Sequence, residues 1–314
     1  MCHPGHTRTE ESIRQNFEWK GMRPMIRRIC KTCPACQKAK KQNTKYGKLP
    51  AKTAEEHPWD TLCVDLIGPY KIQRKNKKDL KLWCLTMIDP VTGWFEMAQI
   101  HNKTAAEVAN VAELTWFTRY PYPTRVVLDR GTEFMAEFSQ MIKNDYGIKL
   151  KPITTRNPQA NAIIERVHQT IGNILRTFKV NSLDLEDPWA GILAATMFAV
   201  RATFHTTLKA SPMQLVFGRD AILNIKHVAN WDHITQLKQK RINENNRIEN
   251  KSRTDHHYNI GDQVLIKARK KTKHDEEYEG PYPLTKINTN GTVKFQKGIV
   301  NDVINIRRIK PFFS

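Results

Sequence analysis

The sequence predicts an α/β protein in which a mixed sheet flanked by helices follows a small helical module and precedes an all-β domain. Three observations predict this class. Residues 1–45 combine apolar side chains at helical spacing with a cysteine cluster. Residues 59–220 alternate between strand-like and helix-like apolar runs, which is typical of a sheet covered by helices. Residues 255–314 are short apolar runs separated by turn residues, which favours a small β-barrel.

The first 45 residues form the predicted helical module. Apolar spacing predicts helices over Thr9–Trp19 and Met22–Ile29. So few residues bury little apolar surface, and a structural metal commonly makes up the difference. Cys33 and Cys36 stand at the spacing that thiolate zinc ligands favour. The alternative is a pair of buried thiols without metal.

The central segment, residues 59–220, is predicted to hold the sheet, because short apolar runs alternate there with longer amphipathic ones. The predicted strands are Leu62–Ile67, Leu82–Ile88, Gly93–Ile100, Val126–Leu128 and Ile148–Pro152. The predicted helices are Thr104–Phe117, Glu133–Tyr146, Pro158–Phe178 and Pro188–Arg201. Strands first, followed by alternating helices and strands, indicate a mixed sheet flanked by helices.

Two polar segments separate the three predicted domains. Residues 46–58 are a basic linker. Residues 221–254 are polar with scattered apolar positions, which predicts a helical linker. The predicted domains are therefore a helical module in residues 1–45, a core in residues 59–220 and a β-barrel in residues 255–314.

The charge balance predicts a polyanionic partner. The chain has 51 Lys and Arg against 31 Asp and Glu, a net charge of +20, and most of the excess lies in the first 50 residues and after residue 220. Nucleic acid is the expected partner of such a protein; a merely well-solvated surface is the alternative. No apolar stretch approaches the roughly 20 residues of a membrane helix, and no signal-peptide block opens the chain. The sequence therefore predicts an intracellular protein without a membrane partner.

Three acidic residues stand out as candidates for metal chemistry. Asp65 lies inside an apolar strand, where an uncompensated carboxylate costs several kcal/mol. Asp129 ends a short strand, and Glu165 lies on a predicted helix. Carboxylates without neighbouring Cys or His select Mg²⁺ or Mn²⁺, and two such ions serve in-line displacement at phosphorus. Taken singly, each acid has a structural alternative: a buried hydrogen-bonded acid, a turn residue and a surface helix residue.

The helix that carries Glu165 has a polar face suited to a phosphate backbone. Gln169, Asn173 and Arg176 follow Glu165 at steps of three or four, apart from the apolar face. We therefore predict that these three side chains contact DNA.

The spacing and context of the three acids resemble retroviral and retrotransposon integrases of the DD(35)E type, closest to those of gypsy-type LTR retrotransposons. Sixty-three residues separate Asp65 from Asp129, and 35 separate Asp129 from Glu165. The resemblance extends over essentially the whole chain. The matching sequence motifs are Cys63-Val-Asp-Leu-Ile-Gly-Pro69, Leu128-Asp-Arg-Gly-Thr-Glu-Phe134, Asn157-Pro-Gln-Ala-Asn-Ala-Ile-Ile-Glu-Arg166 and His205-Thr-Thr-Leu-Lys-Ala-Ser-Pro212.

The resemblance implies an RNase H-like core with a mixed five-stranded sheet and two Mg²⁺ or Mn²⁺ ions at Asp65, Asp129 and Glu165. It implies a DNA strand-transferase with associated endonuclease activity that joins the 3′ ends of retroelement DNA to target DNA. The expected partners are double-stranded DNA and further copies of the chain, and the expected location is the nucleus, reached through a cytoplasmic particle or pre-integration complex. The alternatives are a catalytically silent DNA-binding or tethering protein derived from such an element, and another RNase H-like nuclease.

The same resemblance implies a zinc site in the first domain. Cys33 and Cys36 match the cysteine half of the family's HHCC pattern, and His3 stands where its second histidine is expected. The first histidine belongs further upstream, so either His6 or Cys2 substitutes or the site is incomplete because the chain is a fragment of a longer polyprotein. An incomplete site predicts poor order for residues 1–45.

The last domain is similar to the GPY/F module of gypsy-type integrases, a small Src-homology-3-like barrel implicated in DNA contact and multimerisation. Gly280-Pro281-Tyr282 carries this likeness. Lys267, Lys270 and Lys271 lie in a basic stretch that suits phosphates. A solvated loop or a nuclear localisation signal explains the stretch as well.

Overall fold

The computed structural model describes residues 5–55, 57–72, 80–129, 131–152, 167–173, 188–268, 272 and 275–314. The chain divides into two compact units, one made of residues 1–52 and 244–314 and the other of residues 53–243. Each unit has its own buried apolar core. None of the described helices has the length and apolar character that a membrane crossing requires.

The regular elements are numbered in chain order. The helices are α1 (His6–Arg14), α2 (Met22–Thr32), α3 (Pro34–Ala39), α4 (Ala105–Ala112), α5 (Glu137–Gln140), α6 (described over 167–173), α7 (Pro188–Ala202), α8 (Pro212–Phe217) and α9 (Trp231–Lys251). The strands are β1 (Lys45–Tyr46), β2 (Thr61–Ile72), β3 (Leu80–Ile88), β4 (Phe95–Ile100), β5 (Arg125–Leu128), β6 (Lys149–Pro152), β7 (Arg253–Thr254), β8 (Gln263–Lys267), β9 (Tyr278–Ile287), β10 (Thr292–Lys297), β11 (Val300–Asn305) and β12 (Ile309–Pro311).

The unit of residues 53–243 is built on a mixed five-stranded sheet in the order β4-β3-β2-β5-β6. Strands β2, β3 and β4 are antiparallel, whereas β5 and β6 run parallel to β2. This confirms the predicted mixed sheet. Side chains alternate between its two faces, so that Leu62 and Val64 enter one apolar core while Cys63 and Ile67 enter the other.

The helical prediction for Glu133–Tyr146 is wrong at its start. Thr132–Phe134 form a single 3₁₀ turn, and Ala136 has a φ of +56° before α5 begins. A positive φ is strained for a residue with a side chain and ends a regular helix. The break lets Phe134 and Phe138 both enter the core, where neither is more than 1% exposed.

The unit of residues 1–52 and 244–314 contains a five-stranded antiparallel sheet in the order β11-β10-β9-β8-β12. It encloses an apolar core, and the arrangement is consistent with a small barrel-like domain. The buried residues of this core are Leu49, Tyr258, Val264, Ile266, Leu284, Val293, Phe295, Ile304, Ile306 and Ile309.

Residues 45–50 pack with this sheet, although the sequence predicts a linker over residues 46–58. Strand β1 pairs in parallel with β7, and Leu49 is 6% exposed inside the apolar core. The side-chain amide of Asn250 accepts from the Leu49 N–H at 2.8 Å and donates to the Leu49 carbonyl at 3.1 Å. An apolar side chain that buries its surface and satisfies its backbone polar groups is held in place. Helix α9 fulfils the helical prediction for residues 221–254 over Trp231–Lys251.

Helix α3 is held against the end of the chain. The Gln37 side chain, 3% exposed, donates to the Phe313 carbonyl at 2.7 Å and accepts from the Phe313 N–H at 3.0 Å. The Lys310 ammonium donates to the Gln37 carbonyl at 2.6 Å. The structure describes helices α1–α3 within residues 1–45, for which the sequence predicts poor order when the zinc site is incomplete.

We expect Gly280→Ala to destabilise the unit that contains the sheet of β8–β12. Gly280 has a φ of +120°, and an added Cβ would stand 2.9 Å from the Val264 carbonyl oxygen. Gly261→Ala is the matched control, because Gly261 has a φ of +94° but no atom within 4 Å of an added Cβ. The free energy of unfolding from urea titration should fall by about 1–3 kcal/mol more in Gly280→Ala. Equal losses in the two variants would contradict the steric argument.

Candidate active site

Asp65 lies in the middle of β2, on the side of the sheet that also carries Cys63 and Ile67. Its side chain is 22% exposed in this apolar setting. The backbone N–H of Leu66 donates to Asp65 Oδ1 at 2.8 Å, which fixes the rotation of the carboxylate. The sequence prediction of a carboxylate within an apolar strand is therefore met by a group that is partly open to solvent and held at one oxygen.

Asp129 reaches the same level of the sheet because β2 and β5 run parallel. Cys63 pairs with Val127 in the register of these strands, and each acid lies two residues further along its own strand direction. Side chains two residues apart share a face, and neighbouring strands lie about 4.8 Å apart. Continued by two residues, this register sets Asp65 and Asp129 at adjacent positions on one face of the sheet; that they are ligands of one site stays a prediction.

Gly131, in the turn after β5, lies close to two carboxylates. The Gly131 N–H donates to Asp129 Oδ1 at 2.9 Å, and a Cβ on Gly131 would stand 3.0 Å from that oxygen and 2.8 Å from Glu133 Oε2. Any larger residue would push on both carboxylates. Glu133 also lies 3.8 Å from the Lys103 ammonium. In the sequence, Glu133 stands out only as part of a motif, and its position near Asp129 is not predicted.

Helix α6 brings His168 to Asp65. Val167 and Ile171 of this helix pack on the sheet face that carries Cys63, which places His168 over the strands. His168 Nδ1 lies 4.0 Å from Asp65 Oδ2, and His168 Nε2 lies 2.8 Å from the hydroxyl of Thr86. Burial lowers the pKa of His168 to about 4, so the ring is neutral at neutral pH and forms no ion pair with Asp65. His168 is not among the site residues predicted from the sequence, although it follows Glu165 by about one helical turn.

Only some of the remaining predicted site residues belong to the part of the chain that the structure describes. Glu165, Arg176, Lys270, Lys271 and His3 lie outside the described residues. Gln169 and Asn173 are exposed on α6 at a spacing of four, which places them on one helix face. Lys267 is exposed at the end of β8.

The donor set at Asp65 and Asp129 suits a hard divalent cation, because both acids offer carboxylate oxygens on one sheet face. Within the described part of the chain, no group of three or more potential ligands gathers around one point. The third predicted carboxylate, Glu165, is outside that part. Two of the three acids thus stand where a divalent ion could be held.

Cys33 and Cys36 are the described part of the predicted zinc site. Cys33 immediately precedes α3, and the backbone amide of Cys36 hydrogen-bonds its sulfur, which lowers the pKa of the Cys33 thiol. Burial raises the pKa of Cys36, and the Cys33 sulfur adds to this. The two sulfurs are hydrogen-bonded to each other, so they are close enough to bind one ion. His6 begins α1 and belongs to no described group of three ligands.

Sequence comparison assigns two segments to integrase families. Residues 1–42 match the integrase zinc binding domain, and residues 55–158 match the integrase core domain. The chain therefore carries the zinc-binding and core domains of integrases, and its mixed sheet is the RNase H-like integrase core fold.

The chain has relatives among the proteins of retrotransposons. It is 26% identical to the Retrovirus-related Pol polyprotein from transposon 412 of Drosophila melanogaster over 99% of this chain and 27% of the polyprotein. It is 23% identical to Gypsy retrotransposon integrase-like protein 1 of Homo sapiens over 70% of this chain and 40% of that protein. The chain thus spans well under half the length of these relatives. Its homologues are retrotransposon Pol polyproteins and gypsy integrase-like proteins.

One solved structure resembles the chain over nearly its full length. A chain of a simian T-cell lymphotropic virus intasome, solved in complex with PP2A regulatory subunit B56 gamma, superposes with a TM-score of 0.65 at 12% identity. The match covers 98% of this chain and 96% of that one. At this identity the likeness concerns the fold alone.

We expect Cys33→Ser to release zinc from the chain while Cys30→Ser does not, because Cys30 lies within α2 and outside the ligand spacing. Zinc per chain is measured by elemental analysis after desalting. The wild-type chain should lose its zinc on dialysis against a chelator, because a site with an unfilled or strained position binds weakly. Zinc that survives this dialysis, or that depends on Cys30, would contradict the assignment.

Proposed function

We propose that the chain is an integrase that joins the 3′ ends of retroelement DNA to target DNA, with Asp65, Asp129 and Glu165 holding two Mg²⁺ or Mn²⁺ ions. The observation that supports the proposal is the parallel register of β2 and β5, whose continuation leads to Asp65 and Asp129, within the segment that matches the integrase core domain. The spacing of Glu165 from Asp129 adds the third acid.

The chain's own groups prepare the two carboxylates for this role. The Leu66 N–H holds one oxygen of Asp65, and the Gly131 N–H holds one oxygen of Asp129, so neither carboxylate has to be ordered during the reaction. Bound divalent ions would stabilise the attacking and leaving oxygens of an in-line displacement at phosphorus. Exposed Gln169 and Asn173 on α6, together with Arg176 in the sequence, are proposed to hold the DNA backbone.

The proposed partners, metal and location are those expected of an integrase. Double-stranded DNA, as element ends and as target, suits the net charge of +20. An assembly of several copies on DNA is proposed from the likeness to an intasome chain. Zinc at Cys33, Cys36 and His3, with His6 or Cys2 as the fourth ligand, is proposed for the first domain. The nucleus is the proposed place of action, reached through a virus-like particle.

We expect each of Asp65→Asn, Asp129→Asn and Glu165→Gln to lower strand transfer by at least about 100-fold, because a lost carboxylate removes several kcal/mol of charge stabilisation. The measurement is joining of a supplied DNA end to plasmid DNA, with DNA binding recorded in parallel and expected to persist. Asp145→Asn, an exposed acid in the same unit, is the control and should retain activity. Undiminished strand transfer by Glu165→Gln would refute the assignment of that residue.

We expect Arg176→Ala to reduce the salt dependence of DNA binding, because each lost phosphate contact lowers the slope of log affinity against log salt by roughly one. Gln169→Ala serves as the neutral control: it should weaken binding without changing the slope. Titrations at four or more salt concentrations measure both. An unchanged slope in Arg176→Ala would show that this arginine does not contact phosphate.

A catalytically silent DNA-binding or tethering protein is the second candidate, and the relation to gypsy integrase-like proteins favours keeping it. Such a protein would bind DNA with the same salt dependence. It would give no joining product with either Mg²⁺ or Mn²⁺. The strand-transfer assay on the unsubstituted chain decides between the two.

A further inference from the structure

We propose that His168 binds the divalent ion at Asp65 directly, through its Nδ1 atom, and so adds a nitrogen to an all-carboxylate site. This inference rests on the proposed function, since it requires an ion at Asp65. His168 is not one of the three acids that the family's motif supplies. Asp65, Thr86 and His168 contact one another.

The contacts of Thr86 decide which ring nitrogen of His168 carries the hydrogen. The Thr86 hydroxyl lies 2.9 Å from the Asp65 carbonyl oxygen and 2.8 Å from His168 Nε2. A hydroxyl has one hydrogen to donate, and a carbonyl oxygen can only accept. If the hydroxyl donated to Nε2, two oxygen lone pairs would face each other at 2.9 Å. Thr86 therefore donates to Asp65, and Nε2–H donates to Thr86.

The other ring nitrogen of His168, Nδ1, is available as an electron-pair donor. In a neutral imidazole with its hydrogen on Nε2, Nδ1 carries a lone pair. Nδ1 lies 4.0 Å from Oδ2 of Asp65, which is too long for a hydrogen bond. Two electron-pair donors therefore lie near each other. Two ligands of one ion at bonds of about 2.1 Å are separated by roughly 3–4 Å, so the spacing of Nδ1 and Oδ2 fits a shared cation.

Contacts with the sheet hold the His168 ring in place. Metal-binding histidines commonly donate their second N–H to a fixed acceptor, which sets the tautomer and the ring orientation. Thr86 is such an acceptor: it is fully buried and pairs opposite Asp65 in the β2–β3 register. Ile171, also fully buried, anchors the next turn of α6 on the sheet. The same threonine thus ties the histidine to the backbone of the acid beside it.

A nitrogen ligand has a consequence for metal choice. Imidazole suits transition metals, whereas Mg²⁺ prefers oxygen ligands. The site should therefore bind Mn²⁺ more tightly than Mg²⁺, and removal of His168 should weaken Mn²⁺ more than Mg²⁺. A loss of about 10-fold or more in Mn²⁺ affinity is expected for His168→Gln, with a smaller loss for Mg²⁺.

The experiment is pulsed electron paramagnetic resonance of the full chain loaded with Mn²⁺, with binding constants from calorimetry. A directly bound imidazole gives a ¹⁴N coupling to the Mn²⁺ signal. We expect this coupling in the wild-type chain and in His101→Gln, a control at an exposed histidine of the same unit. It should be absent from His168→Gln and from His168→Asn. Circular dichroism confirms that each variant is folded.

The outcomes separate this inference from the proposed function. His168→Asn can place an amide oxygen near the Nδ1 position but offers no ligand nitrogen. If the wild-type chain shows no ¹⁴N coupling that depends on His168, the inference is overturned while an Asp65-dependent ion still supports the integrase site. If Asp65→Asn leaves Mn²⁺ binding unchanged, the proposed metal site itself fails.

Discussion

The parallel pairing of β2 with β5 is the constraint on which the candidate site depends. Because the two strands run in the same direction and pair at Cys63 and Val127, residues two positions further on reach one level of the same sheet face. An antiparallel pairing would have sent Asp65 and Asp129 to opposite ends. The apolar cores on both faces of the sheet stabilise this register, since a slip of one residue would turn each acid to the other face.

Backbone donors order the two acids. The Leu66 N–H holds Oδ1 of Asp65, and the Gly131 N–H holds Oδ1 of Asp129. Burial keeps His168 neutral, so its contact with Asp65 is not an ion pair. The Lys103 ammonium lies 3.8 Å from Glu133.

The two ends of the chain form one unit. Gln37 pairs with Phe313, Lys310 reaches Gln37, and Arg307 forms a two-pronged ion pair with Glu249 at 2.7 Å for each contact. Burial lowers the pKa of Lys310 to about 8. Because Gln37 directly follows Cys36, the segment that matches the integrase zinc binding domain is hydrogen-bonded to the end of the chain.

The sequence by itself determined the sheet strands of residues 61–152, the helical nature of residues 231–251 and the three candidate acids, because apolar period and run length are local signals. It did not determine the β1–β7 pairing, the burial of Leu49 in a predicted linker or the contact between His168 and Thr86. The last joins residues 82 positions apart, and the bond between Gln37 and Phe313 joins residues 276 positions apart. Tertiary structure alone decided these contacts, because a single polar side chain carries no periodic signal and its partner is set by how distant segments pack.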